Sequence, residues 1–282
     1  EMLKVVYPLI KQADPQAQVL VGGLVLDCDP VNPPEDPPGS GKLRDCTPSR
    51  FLEGVLETGA GSAFDGVSFH AYDYYYGEAG KYGSPVWHSG WDLNGPVLTP
   101  KVRYLRALLT SYGVRDKALF NTEVALLCGR DGREAPCLQQ DFLQTKAAYL
   151  AQANAAALAE GLRANIWYSL TGWRASELVV MPGLQPQPAL EAFAFGAQQL
   201  QDAVYLGEVN DYPGVKGYRW QRQDQEIWLL WSRDGEDHEI RLERQPRDHF
   251  DLYGEARAIQ ETGGVNIGLS PAYVVWPAGA AP

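Results

Sequence analysis

The chain has 282 residues, a net charge of −11 and 45% hydrophobic residues, enough for one large domain, or a medium and a small one, around a substantial core. That excess of negative charge leaves no basic stripe for phosphates, which excludes a nucleic-acid partner and disfavours anionic membrane surfaces. No apolar run reaches the ~18 residues that a bilayer-spanning helix needs, so no membrane partner is expected.

Taken in order, Leu3, Val6, Leu9 and Ile10 recur at helical spacing across residues 2–12. Residues 19–26 form an apolar run interrupted by Gly22-Gly23, the pattern of a strand buried on both faces of a parallel sheet. A Pro- and Gly-rich loop leads to a predicted helix over 48–60, with Thr47 or Ser49 as N-cap candidates and Pro48 in its first turn. The second strand covers 64–72 and ends at His70-Ala71-Tyr72. After a long aromatic loop, Thr99-Pro100 opens a helix that Gly113 stops. The third strand spans 118–124, the helix 138–161 follows, the fourth strand spans 164–170, and a helix over 188–203 completes the series.

Strands alternating with helices at this spacing specify right-handed βα units on a parallel sheet. Four such units are present, whereas a complete eight-unit barrel takes about 250 residues. The expected fold class is therefore α/β, an incomplete (β/α)8 barrel over residues 1–203. From residue 204 the texture changes to short alternating runs at 217–222, 226–232, 238–242, 249–252 and 272–276, separated by turns such as Arg233-Asp234-Gly235. This predicts an antiparallel β-sandwich over 204–282, with Trp220, Trp228 and Trp231 in its core and His238 and His249 as ordinary strand residues.

The four cysteines bracket two loops, Cys28 with Cys46 and Cys128 with Cys137. Neither pair has zinc-ligand spacing and neither has a neighbouring His, so no metal is expected. Two disulfides suit the pattern and imply a secreted protein. A bridge between Cys28 and Cys128, both just past predicted strands, stays open. No nucleophile elbow, phosphate loop or dinucleotide fingerprint occurs, and no cofactor is expected.

The strand ends hold the chemistry. In a parallel barrel the C-terminal rim carries the catalytic groups. There stand Gly22-Gly23, then His70 and Tyr72, then Asn121-Thr122-Glu123, then Trp167 through Trp173. A carboxylate among an imidazole, a phenol and indoles is a sugar-hydrolysing set: rings stack on sugars, a tyrosine hydroxyl orients the carboxylate, and the carboxylate attacks the anomeric carbon. Glu123 as the start of a solvated loop is the bland alternative, and the neighbouring strand ends argue against it. The loop from Tyr72 through Tyr74, Trp87 and Trp91 reads either as a saccharide-binding lip or as a self-packed Ω-loop. Trp173 with Arg174 reads either as a further subsite or as a structural pair. Asp73 and Glu78 are the loop carboxylates that could substitute as an acid.

The segments Ile10-Lys11-Gln12-Ala13-Asp14-Pro15, Val19-Leu20-Val21-Gly22-Gly23, 64–72, Asn121-Thr122-Glu123 and Ile166-Trp167-Tyr168, in this order and spacing, resemble the C-terminal half of retaining glycoside hydrolases with the clan-A (β/α)8 barrel. Family 39 and its neighbours are the most similar. The resemblance implies strands five to eight, a terminal β-sandwich, and an oligo- or polysaccharide substrate. It makes Glu123 the nucleophile, has His70 and Tyr72 position it and the sugar hydroxyls, places Trp167 as the floor of the cleavage subsite, and leaves Asn121 as a substrate-binding residue. In that family the acid/base is a second Glu at the end of strand four, and no counterpart stands in this chain. Three explanations follow: the chain is a piece of a larger enzyme lacking its N-terminal half-barrel, two half-barrels assemble into an oligomer, or a degenerate barrel binds sugar without cleaving it.

Overall fold

The computed structural model describes residues 1–282 except 84–88, 92–94, 130–136, 138, 262, 280 and 282. It divides into two compact units. One comprises Glu1–Tyr74, Gly83–Ala125 and Glu160–Trp167, and the other Tyr75–Tyr82, Leu126–Ala159 and Tyr168–Pro282.

The first unit is built on a parallel sheet. Its main strands are β1 (Leu20–Leu24), β2 (Gly66–Tyr75), β3 (Ala118–Leu127) and β4 (Ala164–Trp167), neighbours in that order, and the two-residue strand Tyr82–Gly83 also pairs with β2. The β1–β2 and β3–β4 pairs are parallel, and each slips register once, between Val21 and Leu24 and between Asn121 and Val124. Helix α1 (Met2–Ala13) precedes β1, a 3-10 turn (Thr47–Arg50) and α2 (Phe51–Glu57) link β1 to β2, and α3 (Leu98–Ser111) links β2 to β3. Helix α4 (Gln140–Ala159) lies between β3 and β4 in sequence, and α5 (Pro188–Leu200) follows β4.

The sheet core is apolar: Phe64, Val67, Phe69, Ala71, Val102 and Leu105 are fully buried. Complete burial of such a side chain contributes roughly 1.5–3 kcal/mol. Helix α1 buries no residue fully. Leu3, Tyr7 and Ile10 are half-buried, and Met2, Val5, Val6 and Leu9 are exposed. Polar contacts anchor the helix instead: the Tyr7 hydroxyl donates to Asp65 Oδ1 at 2.8 Å and Lys11 pairs with Asp65 Oδ2 at 2.9 Å. Burial would raise the Asp65 carboxyl, but the Val19 N–H, Lys11 and Tyr7 hold it at about 2.

Several boundaries differ from expectation. The segment predicted as helix 48–60 opens as a 3-10 turn without a side-chain cap, so neither Thr47 nor Ser49 serves as one. Strands β2 and β3 run on to Tyr75 and Leu127, the second because the apolar run Val124–Leu127 is buried rather than looped. Strand β4 stops at Trp167, short of Leu170.

In the second unit a five-stranded antiparallel sheet has the order β9-β11-β7-β6-β5, with β5 Val204–Val209, β6 Val215–Arg222, β7 Gln225–Ser232, β9 Asp248–Phe250 and β11 Ala272–Pro277. A two-stranded ribbon, β8 (His238–Arg241) with β10 (Gly264–Ile267), adds Ile240, Val265 and Ile267 to a core shared with Trp228, Leu230, Val274 and Trp276. The Trp228 and Trp276 rings lie 4.7 Å apart, and Trp220 and Trp231 are likewise buried. Strands β5 and β10 were not expected: Gly207 dilutes the first, and the second is a short run after a glycine turn.

The disulfides are Cys28–Cys46 and Cys128–Cys137. The Cys28–Cys128 alternative does not form, since each cysteine is already paired within its own loop. No helix among the described residues is long and apolar enough to cross a membrane.

Candidate active site

The site is assembled on β2 and β3, near one register slip in the β1–β2 ladder and another in the β3–β4 ladder. Side chains alternate along a strand, so His70, Tyr72 and Tyr74 share one side of β2, each half-buried, while Ala71 and Asp73 are buried on the other. Glu123 sits within the slip between Asn121 and Val124 rather than at the strand end. A bulge of this kind re-aims a side chain without ending the ladder.

The Tyr72 hydroxyl donates to Glu123 Oε2. His70 Nδ1 lies 3.3 Å from the same oxygen, with side-chain exposures of 19% for His70 and 31% for Glu123. The carboxylate is thus held from one side while remaining partly open. Burial pushes the His70 imidazole below its ordinary value; Glu123 pulls it up and Lys101 pushes it further down.

Gly22 and Gly23 make room for this arrangement. A Cβ on Gly23 would lie 2.2 Å from His70 Nε2, and one on Gly22, at φ +135°, would lie 2.0 Å from the Ser68 carbonyl oxygen. Asn121 is fully buried 2.7 Å from the Asn165 carboxamide. With its amide oriented toward main-chain acceptors it donates to the carbonyls of Phe69 at 3.1 Å and Glu123 at 3.0 Å, tying β2 to the backbone of the slip. Trp167 pairs with Val124 across the β3–β4 ladder and is half-buried, one residue along from Glu123.

Other expected residues fall elsewhere. Trp91 is 5% exposed, its indole N–H donating to the Leu26 carbonyl at 2.8 Å and its ring 5.8 Å from Tyr104. Trp87 lies outside the described residues. Trp173 belongs to the second unit, where it meets Tyr168 edge-on at 5.1 Å and lines a cavity of about 300 Å³ with Arg174, Glu177 and Met181. In that unit Tyr75 and Tyr82 pack on α4 through Phe142 and Tyr149, as in the self-packed reading of the aromatic loop. Asp73 is buried and accepts the Val97 N–H at 2.9 Å, and Glu78 pairs with Lys81. Among the described residues no cluster of three or more His, Cys, Asp or Glu could hold a metal ion.

Two buried lysines were missed. Lys101 of α3, 5% exposed, donates to the carbonyls of His70 at 2.8 Å and Val25 at 2.9 Å. Lys146 of α4, fully buried, donates to the carbonyls of Ala175 at 2.9 Å and Glu177 at 2.8 Å and to Gln187 Oε1. The available signal was a lysine inside each helix's apolar stripe: Lys101 with Leu98, Val102 and Leu105, and Lys146 with Phe142, Tyr149 and Leu150.

The fold is similar to those of solved glycoside hydrolases. A family 39 glycoside hydrolase from the gut symbiont Bacteroides cellulosilyticus WH2 matches at a TM-score of 0.67 and 18% identity, over 97% of this chain and 54% of its own. BuGH86 in complex with neoagarooctaose matches at 0.57 and 10% identity, over 100% and 47%. A GH30 endoxylanase from Clostridium papyrosolvens C71 matches at 0.50 and 11% identity, over 99% and 60%. No family model and no curated protein matches the chain. The chain spans between 47% and 60% of those solved chains, and at these identities the likeness is one of fold. The chain has a mixed α/β, glycosidase-like fold with a parallel sheet.

Proposed function

We propose that the chain acts in retaining glycoside hydrolysis, with Glu123 as nucleophile. The parallel sheet is then strands five to eight of a (β/α)8 barrel over residues 1–203, followed by a β-sandwich over 204–282. The observation that carries this reading is the Glu123 carboxylate gripped by the Tyr72 hydroxyl beside the His70 imidazole at a strand slip.

In this mechanism a Glu123 oxygen attacks the anomeric carbon as the bond to the leaving oxygen breaks, and an acid/base residue outside this sequence protonates that oxygen. The glycosyl ester is then hydrolysed by water, which the same acid/base deprotonates, and Glu123 is released unchanged. Tyr72 turns one carboxylate oxygen away from the attack path, and Trp167, one residue along the ladder, offers a ring to the sugar, as does Tyr74 on the His70 and Tyr72 side of β2. Exposed Met2, Val5, Val6 and Leu9 on α1, with Ile166 on the edge strand β4, are apolar surfaces that the rest of a barrel or a second copy would cover. An oligo- or polysaccharide is the substrate class, and the two disulfides favour a secreted protein.

The test is a fluorinated glycoside whose leaving group needs no protonation, read by intact mass. The unaltered chain gains one glycosyl adduct and Glu123→Gln gains none; undiminished labelling of that variant removes Glu123 from the role. The second reading, a carbohydrate-binding protein without turnover, is favoured by the single suitably placed carboxylate among the described residues. It predicts saturable sugar binding that is lost on replacing Trp167 or Tyr72, with no adduct in any variant.

A further inference from the structure

We propose that Lys101 is a positioning residue for this site, its buried ammonium pinning the strand ends that carry His70 and setting the charge beside Glu123. The inference rests on the function proposed above and adds to it a residue on a helix, outside the rim.

The geometry is specific. Lys101 stands in the second turn of α3 among Leu98, Val102 and Leu105. An ammonium at 5% exposure is costly to bury without partners. Its acceptors are two main-chain carbonyls, one from Val25 just past β1 and one from His70 inside β2. These are the two strands whose register slips at Gly22-Gly23, where the missing Cβ of Gly23 leaves room for the His70 ring. One cation therefore ties together the floor under the imidazole and the backbone that bears it. The Asp73 and Asp27 carboxylates act on Lys101 in the opposite sense to its burial, which pushes the amine down to about 8.

Among the described residues, the charged and titratable groups that act on or touch His70 are Glu123 from β3, Tyr72 from its own strand and Lys101 from α3, and β1 brings Gly23 against the ring. A protonated imidazole 3.3 Å from Glu123 would form an ion pair and draw off the charge needed for attack on an anomeric carbon. A fixed cation at the His70 carbonyl opposes that protonation. Lys101 thereby adds to burial in keeping His70 a neutral neighbour and Glu123 an undivided carboxylate.

The experiment is an NMR titration of the whole chain. The four histidines make the ring signals tractable, with His70 assigned by its loss in His70→Asn. Lys101→Met raises the His70 midpoint, and Lys101→Arg, which retains the charge, leaves it near its original value. A folded Lys101→Met chain with an unmoved His70 midpoint overturns the inference, whatever its melting temperature. Should Lys101→Met not fold, the unaltered chain decides: the His70 carbonyl carbon moves with a midpoint near 8 as the ammonium loses its proton, and a flat trace there overturns the inference. Neither readout involves turnover, so failure here is distinct from failure of adduct formation at Glu123.

Discussion

Lys146→Met tests whether a fully buried ammonium is as costly as its surroundings imply. Burial pushes Lys146 from its ordinary 10.5 down to about 8, with Glu177 acting in the opposite sense. Between these values the unfolded chain still holds the proton that the folded chain has released, so unfolding takes up a proton and raising the pH favours the folded state. At about 1.4 kcal/mol per pH unit, this one group adds about 2.5 kcal/mol of stability between pH 7 and pH 10. Lys101 contributes in the same direction. Tyr104, pushed up to about 12 by burial, works the other way only above pH 10, so the window closes there. Urea unfolding followed by tryptophan fluorescence at pH 7, 8, 9 and 10 measures the rise. Replacing the lysine removes the donor to the Ala175 and Glu177 carbonyls and to Gln187; each acceptor left unsatisfied costs about 1–3 kcal/mol, so Lys146→Met is less stable at pH 7. Its pH-dependent rise is smaller by about 2.5 kcal/mol, and the gap to the unaltered chain widens toward pH 10. Parallel curves for the two chains across this window would refute the assignment of a depressed lysine at this position.

Tyr72→Phe removes the hydroxyl that bonds Glu123 Oε2. A hydrogen bond to a charged group is worth about 1.5–3 kcal/mol, so adduct formation with the fluorinated glycoside slows by roughly 10- to 100-fold, and an unchanged rate contradicts the positioning role. Gly23→Ala sets a Cβ 2.2 Å from His70 Nε2; the ring is displaced, its proton and carbon resonances move, and the chain is destabilised. A His70 spectrum identical to that of the unaltered chain would mean that this contact does not constrain the site.

Much of the sheet is legible in the residues themselves. The apolar run at 19–26, the strand ending in His70 and Tyr72, and the run before Glu123 each carry a local burial pattern, and β1, β2 and β3 lie where those patterns are. The grouping of His70 and Tyr72 follows from alternation on one strand. Their meeting with Glu123 needed the parallel pairing, which the βα spacing implied. The lysines were hidden because sequence reading sends a lone lysine in an apolar stripe to solvent, whereas Lys101 and Lys146 find carbonyls from segments distant in sequence. Trp91 illustrates the converse. Its place in an aromatic loop suggested a ligand face, and only the approach of the Leu26 carbonyl shows its indole packed inward.

The chain's own residue order determined the alternation of strands and helices, the change to β-structure after residue 204, and the in-loop disulfides, because periodicity, turn chemistry and short loop closure act over neighbouring residues. The register slips at Gly22-Gly23 and Asn121–Val124, the extension of β2 and β3, and the charges buried beneath His70 were decided by tertiary structure. These depend on which backbone carbonyls and side chains arrive from far along the chain, and local propensity holds no record of that arrival.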